Sequence, residues 1–189
     1  MQPRYIEPEG TRFRREMIDG VEQIRIPTRR NWFVLLFLSF WVCGWTVGGI
    51  AAINQVLRDP HAFLIFWLGG WAIGWVVVVT TIASQIAGSE IIRVIGRDLE
   101  ISDGVGELRR RRLYRGDQIR FLDGSDPNPT GLPIYMGARQ FPFIRPRQGA
   151  IKFDYGARTI YAAGSVDEAE GRMIAAWLTP KLPRSAVDA

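Results

Sequence analysis

Residues 37–48 read FLSFWVCGWTVG and residues 63–74 read FLIFWLGGWAIG. The two phrases agree in register at Phe, Leu, Phe, Trp, Gly, Trp and Gly. Each lies inside an uncharged run, since no Asp, Glu, Lys or Arg occurs between Arg30 and Arg58 or between Asp59 and Glu90. A helix needs about 20 apolar residues to cross the hydrocarbon of a bilayer. Both runs exceed that length, so two transmembrane helices are expected, at 31–56 and 62–88.

The connection between the spans runs only from Val56 to His61, and Pro60 suits a helix start, so the spans should form a tight antiparallel hairpin. A signal peptide does not fit: the first apolar run starts only at Trp32, is too long for a signal h-region, and leads to a second span instead of a cleavage site. Arg25, Arg29 and Arg30 precede the first span and Arg93 and Arg97 follow the second, whereas the turn offers only Arg58. By the positive-inside rule both termini face the cytoplasm.

In each span the aromatic residues recur every fourth position, Phe33, Phe37, Trp41 and Trp45 in the first and Phe63, Trp67, Trp71 and Trp75 in the second. That spacing places each set on one helix face. Gly44 and Gly48, and Gly70 and Gly74, form two small-x-x-x-small patterns that let helix backbones approach closely. An antiparallel hairpin turning near residue 59 sets Gly44 against Gly74 and Gly48 against Gly70, which predicts a glycine seam flanked by the aromatic stripes. Tryptophans so deep in a span need a surface to pack on. Three occupants are open: the hairpin or its own oligomer, another integral-membrane protein, or a flat apolar ligand such as a quinone or pigment tail.

Outside the membrane the pattern becomes short alternating runs broken by turn residues, the mark of a small antiparallel β structure. Strands are expected at 13–17, 21–26, 90–95, 98–102, 108–114, 118–122, 150–155 and 158–162. Asp19-Gly20 is the strongest hairpin signal among their turns. Ser165 and Glu168 form an expected capping box. Val166, Ala169, Met173, Ala176 and Trp177 then mark the expected docking face of one C-terminal helix. The expected fold is thus a membrane α-helical hairpin plus a mainly-β, PH-like barrel closed by that helix. Residues 1–30 form an arm whose β-hairpin joins the barrel, 89–183 are the PH-like domain, and 184–189 are a tail.

IKFDYGARTIYAAGSVDEAEGRMIAAWL (Ile151–Leu178) and the phrases FWVCGW (Phe40–Trp45) and FWLGGW (Phe66–Trp71) carry a resemblance, with Arg29-Arg30-Asn31-Trp32-Phe33 before them. Together they resemble a family of small bacterial membrane proteins in which a two-helix hairpin is joined to a PH-like domain. The resemblance runs from about Met17 to Leu178. It implies a fold, an anchor and the bacterial inner membrane, but no reaction. The chain departs from that pattern between Gly124 and Gly149, a Pro-rich segment holding Ile134, Tyr135, Met136, Phe141 and Phe143. Those apolar residues either cover an open end of the barrel or form a partner loop.

Chemistry-bearing residues are sparse. Histidine occurs once, as His61 in the outer turn, and cysteine once, as Cys43 inside a span, so no nucleophile–histidine pair or thiolate cluster is expected. Neither span contains a charge of the kind that marks ion pathways. No enzyme, metal or resident cofactor is expected. Lys plus Arg exceed Asp plus Glu by 5, too small an excess for nucleic acid. The candidate contacts for anionic headgroups or an acidic partner are Arg29, Arg30 and the run Arg109, Arg110, Arg111 and Arg112. On a strand, Arg109 and Arg111 face one way and Arg110 and Arg112 the other. Either the strand starts only at Leu113, or it is a charge-protected edge, or acids such as Glu107 and Asp117 neutralise one pair. The function this suggests is an accessory or stabilising subunit of a larger respiratory, photosynthetic or transport complex. A lipid-binding module and a self-assembling scaffold are the alternatives.

Overall fold

The computed structural model describes residues 10–127 and 148–186. Along the chain come β1 (Arg14–Ile18), β2 (Val21–Pro27), α1 (Trp32–Arg58) and α2 (Ala62–Ala87). They are followed by β3 (Gly88–Ile95), β4 (Asp98–Val105), β5 (Leu108–Tyr114), β6 (Ile119–Gly124), β7 (Ile151–Tyr155), β8 (Arg158–Ala162) and α3 (Glu168–Leu178). α1 and α2 are each long and apolar enough to cross a membrane.

The strands make two antiparallel sheets, in the orders β1-β2-β3-β4-β5 and β6-β7-β8. Asp19 and Gly20 both take positive φ, 52° and 77°, which closes the β1–β2 turn as its sequence requires. Strand β4 runs past its expected end at residue 102, through Asp103-Gly104 to Val105, and the chain reverses at Gly106, φ 54°. The sheets are not closed into a barrel, because β5 ends the larger sheet and does not pair with β6. β5 is an edge carrying four arginines, and charge of that density discourages further pairing.

One apolar core lies between the sheets and under α3, built on Phe13, Ile24, Ile92, Leu99, Ile119, Phe153, Ile174 and Leu178. Tyr114 of β5 stacks edge-on to Phe153 at 5.2 Å and to Tyr155 at 5.3 Å, tying the two sheets together where no ladder does. The capping box of α3 is two residues later than expected. Asp167 caps the helix and accepts from Glu170 N at 2.8 Å, while Glu170 reaches back to Asp167 N at 3.2 Å. Ser165 accepts instead from Arg29 N. Of the expected docking face Val166, Met173 and Trp177 pack in or against the core, joined by Gly171, Ile174, Ala175 and Leu178, while Ala169 and Ala176 face outward. The buried Glu170 also accepts from Arg12 N at 2.5 Å, which binds the N-terminal arm to α3. Ala186, expected in a tail, is fully buried in the core.

The helical hairpin is an insertion between two neighbouring strands. Pro27, the last residue of β2, pairs with Ser89 at the start of β3, and Thr28 N donates to Gly88 O at 3.0 Å. Both chain crossings therefore leave the sheet side by side.

Candidate functional site

Three features need placing: the face between α1 and α2, the aromatic surface they leave exposed, and the arginines near the helix ends.

The contact between the helices is ring on glycine, not glycine on glycine. A Cβ built on Gly49 would lie 2.5 Å from Trp71 Cε2, and one on Gly74 would lie 2.9 Å from Trp45 Cη2. Nothing approaches within 4 Å of such an atom on Gly44, Gly48 or Gly70. Of the expected seam, Gly74 alone lies in the contact, and its counterpart is Gly49, one residue past the repeated phrase. The reason is volume. A tryptophan laid across the partner helix needs a position without a side chain beneath it, and two glycines facing each other leave no room for the ring.

Polar matching completes this face. Trp71 Nε1 donates to Trp45 O at 3.2 Å, and Trp75 Nε1 donates to Thr46 Oγ1 at 2.9 Å. An indole N–H that finds no acceptor inside a bilayer is costly, because no water is there to receive it. The hairpin satisfies two of its deep tryptophans internally. The aromatic stripe thus divides: Trp45, Trp71 and Trp75 turn into the hairpin, while Phe37, Trp41, Phe63 and Trp67 remain on its outside. On α1 the rings form a ladder, with Phe37 5.9 Å from Trp41 and Trp41 6.0 Å from Trp45. Trp41 is 52 % exposed and Trp67 43 %, and neither indole N–H has an acceptor among the described residues.

At the other end, hydrogen bonds lock the start of α1 to the end of α2 beside the sheet. Asn31 caps α1 by accepting from Val34 N at 3.2 Å, and its own N–H donates to Oε1 of the buried Gln85 at 3.3 Å. The Arg30 guanidinium donates to Ile86 O at 3.0 Å. Gly88 joins α2 to β3 with no intervening loop. A Cβ there would overlap the Ser84 carbonyl and come 2.7 Å from Thr28 Oγ1.

The arginine run divides as alternation requires. Arg112 turns toward the core side and meets Asp103 at 3.3 Å. Its partner is neither Glu107 nor Asp117, the latter being paired with Arg115 at 2.9 Å. Strand β5 already begins at Leu108, so the arginines lie within it. Arg109, on the outer face, folds back to donate to Ser89 Oγ at 2.7 Å, Ser89 O at 3.2 Å and Gly106 O at 2.8 Å. Burial, then the charges of Arg25 and Arg111, hold its guanidinium below the usual arginine value, with Asp103 opposing. Arg110 and Arg111 are exposed. Ile134, Tyr135, Met136, Phe141 and Phe143 lie outside the described residues.

Arg14 and Arg25, which sequence reasoning did not group with the run, share the outer face with Arg109 and Arg111. Only the strand order reveals this. His61 and Asp59 pair at 2.8 Å on the turn between the helices. No family model, curated protein or solved structure matches the chain.

Proposed function

We propose that this protein is a non-catalytic accessory or stabilising subunit, whose hairpin and PH-like domain pack against a larger integral-membrane complex. In this reading it sits in a bacterial inner membrane with both termini in the cytoplasm, and the complex is respiratory, photosynthetic or transport machinery. The carrying observation is Trp41. At about 1.5 Å per residue it lies roughly 14 Å along α1, near mid-bilayer, with its ring exposed and its N–H without an acceptor among the described residues. Trp71 and Trp75 are satisfied within the hairpin; of the span indoles without an acceptor among the described residues Trp45 turns inward, whereas Trp41 and Trp67 are exposed, which supports an outer surface that a partner's carbonyl or hydroxyl completes.

The junction supports the same reading. A tether needs no fixed angle, yet here the two crossings are bonded to each other through Arg30–Ile86 and Asn31–Gln85, and Thr28 and Arg29 bond to Gly88 of β3 and to Ser165, which supports a hairpin that presents the β domain in one orientation.

The test is purification of the full chain from its native membrane in mild detergent. A stoichiometric integral-membrane partner is expected, photo-crosslinked from position 41 or 67 but not from 71, and lost in the W41A/W67A variant. Crosslinks only between copies of the chain would support the scaffold instead, and a lone monomer with lipid adducts alone would overturn the proposal.

A further inference from the structure

The larger sheet carries a cationic band on the face turned away from the core. In one ladder row Arg14, Arg25, Ile91, Ser102 and Arg111 succeed one another across all five strands. One row nearer the membrane hairpin, Pro27, Ser89, Gly104 and Arg109 do the same across β2 to β5. Arg14, Arg25 and Arg111 are exposed and form no hydrogen bond or ion pair among the described residues.

A folded sheet gains nothing from this arrangement alone. Arg14 stands directly opposite Arg25 in the ladder, and like charges so placed destabilise the pair. Arg25 and Arg111 both depress the ionisation of Arg109. The nearby carboxylates are engaged elsewhere: Glu100 with Arg93 at 2.8 Å and Asp103 with Arg112. Among the described strand residues, Glu16, one row further from the membrane, shares the face without an ion pair. Among the described residues no carboxylate pairs with Arg14, Arg25 or Arg111.

The position of the band says where a counter-anion comes from. α1 and α2 have 27 and 26 residues, about 40 Å each at 1.5 Å per residue, which matches hydrocarbon plus both headgroup layers. Ser89 therefore emerges at the headgroup surface, and the row of Arg25 and Arg111 lies two residues, about 7 Å, beyond it. An extended arginine spans that gap. Arg109 already reaches back to Ser89. From Arg14 to Arg111 the band crosses four interstrand spacings, roughly 19 Å, which suits several headgroups side by side and not one small ion.

We propose that the outer face of the larger sheet binds the phosphates of anionic phospholipids in the leaflet from which the β domain emerges, through Arg25 and Arg111, with Arg14 and Arg109 flanking them. Guanidinium forks match phosphate oxygens bidentately, which explains why all four cations of the band are arginines. The face clamps the domain down on its own membrane. This rests on the hairpin being embedded, and not on the existence of a protein partner.

The experiment uses the full chain in nanodiscs of mixed phosphatidylcholine and phosphatidylglycerol, and mass spectrometry of the lipid that survives gentle delipidation. Enrichment of phosphatidylglycerol over bulk is expected. The R25Q/R111Q variant should lose about 25-fold of it, about fivefold per arginine near the surface. The charge-matched R97Q/R158Q variant, altered in the β3–β4 turn and at the start of β8 away from the band, should keep it. Unchanged enrichment in R25Q/R111Q overturns the proposal, as does equal loss in the control. Competition by inorganic phosphate against the wild type also overturns it, by showing a soluble-anion site. If R25Q/R111Q does not fold, salt decides: between about 0.1 and 1 M the Debye length falls from about 10 to 3 Å. Wild-type enrichment that persists through that range sinks the idea. Loss of the protein partner in W41A/W67A with lipid retained separates this proposal from the preceding one.

Discussion

Gly49→Ala is the sharpest perturbation of the hairpin. The added methyl would sit 2.5 Å from Trp71 Cε2 and closer still to Cζ2, so the indole must move outward by more than 1 Å to reach an ordinary contact of about 3.5–4.0 Å. That movement stretches the Trp71 Nε1 to Trp45 O bond from 3.2 Å to beyond about 3.5 Å, where it no longer counts as one. Overpacking of this kind costs about 1–3 kcal/mol. A lost hydrogen bond within a membrane adds about 0.6–1.7 kcal/mol. The exchange of Gly for Ala in a helix returns about 1 kcal/mol. The net expectation is destabilisation of the hairpin by about 1–4 kcal/mol. Gly44→Ala, Gly48→Ala and Gly70→Ala meet nothing within 4 Å, so each should be neutral or stabilising by up to about 1 kcal/mol. Reversible unfolding of the full chain in mixed micelles, followed by tryptophan fluorescence, measures all four. In a Trp71→Phe background the penalty for Gly49→Ala should shrink, because the bond is already gone and the ring is smaller. The reasoning fails if the four variants are alike, or if Gly48→Ala is the damaging one.

Other outcomes follow from the sheet and its junctions. The Glu22 carboxyl is held below its ordinary value by its bond to Lys181, against some desolvation, and further by the 3.1 Å bond from Trp177 Nε1. A depressed acid stabilises the fold above its unfolded value near 4.3 and loses that share as pH falls through the folded one. Glu22→Gln should therefore lower the melting temperature at pH 7, and the gap to wild type should close in acid below about pH 4; a pH-independent gap contradicts this. Glu170→Ala removes both the capping box and the acceptor for Arg12 N, at about 2–4 kcal/mol from cap and charged hydrogen bond together. Trypsin should then cut at Arg12, Arg14 or Arg15 faster than in wild type, with thermal unfolding as the stability readout. Gly88→Ala sets a methyl against the Ser84 carbonyl, which is backbone and yields poorly, so α2 must unwind its last turn. Amide exchange at Gln85 to Ser89 should speed up, while the β7–β8 pair stays protected.

Much of the architecture was legible because it is local. The uncharged runs marked α1 and α2, and alternation with turn residues marked all eight strands, Leu108–Tyr114 and Arg158–Ala162 to the residue. The cap of α3 was misplaced because Ser165 and Asp167 offer equivalent side chains at adjacent turns. Asp167 won once Glu170 was needed for Arg12 of the N-terminal arm, a contact 158 residues apart in the chain. The barrel was overstated for a similar reason. Strand periodicity says that a sheet forms, but not whether its last edge finds a partner.

The spans, the strands and the Asp19-Gly20 turn were determined by sequence alone, since each depends on residues within a few positions of one another. Which surfaces meet was decided only by tertiary structure. A glycine face announces that something comes close. Whether a second glycine or an indole ring arrives depends on the rotamers of Trp45 and Trp71, which the opposing helix sets. The four arginines in a row looked like the basic site, yet pairing ties down Arg109 and Arg112 and brings Arg111 into a row with Arg14 and Arg25 from strands on the far side of the hairpin. Charge is a property of residues, but a field is a property of their positions, and those positions exist only once β2 and β3 lie side by side with the helical hairpin between them in sequence.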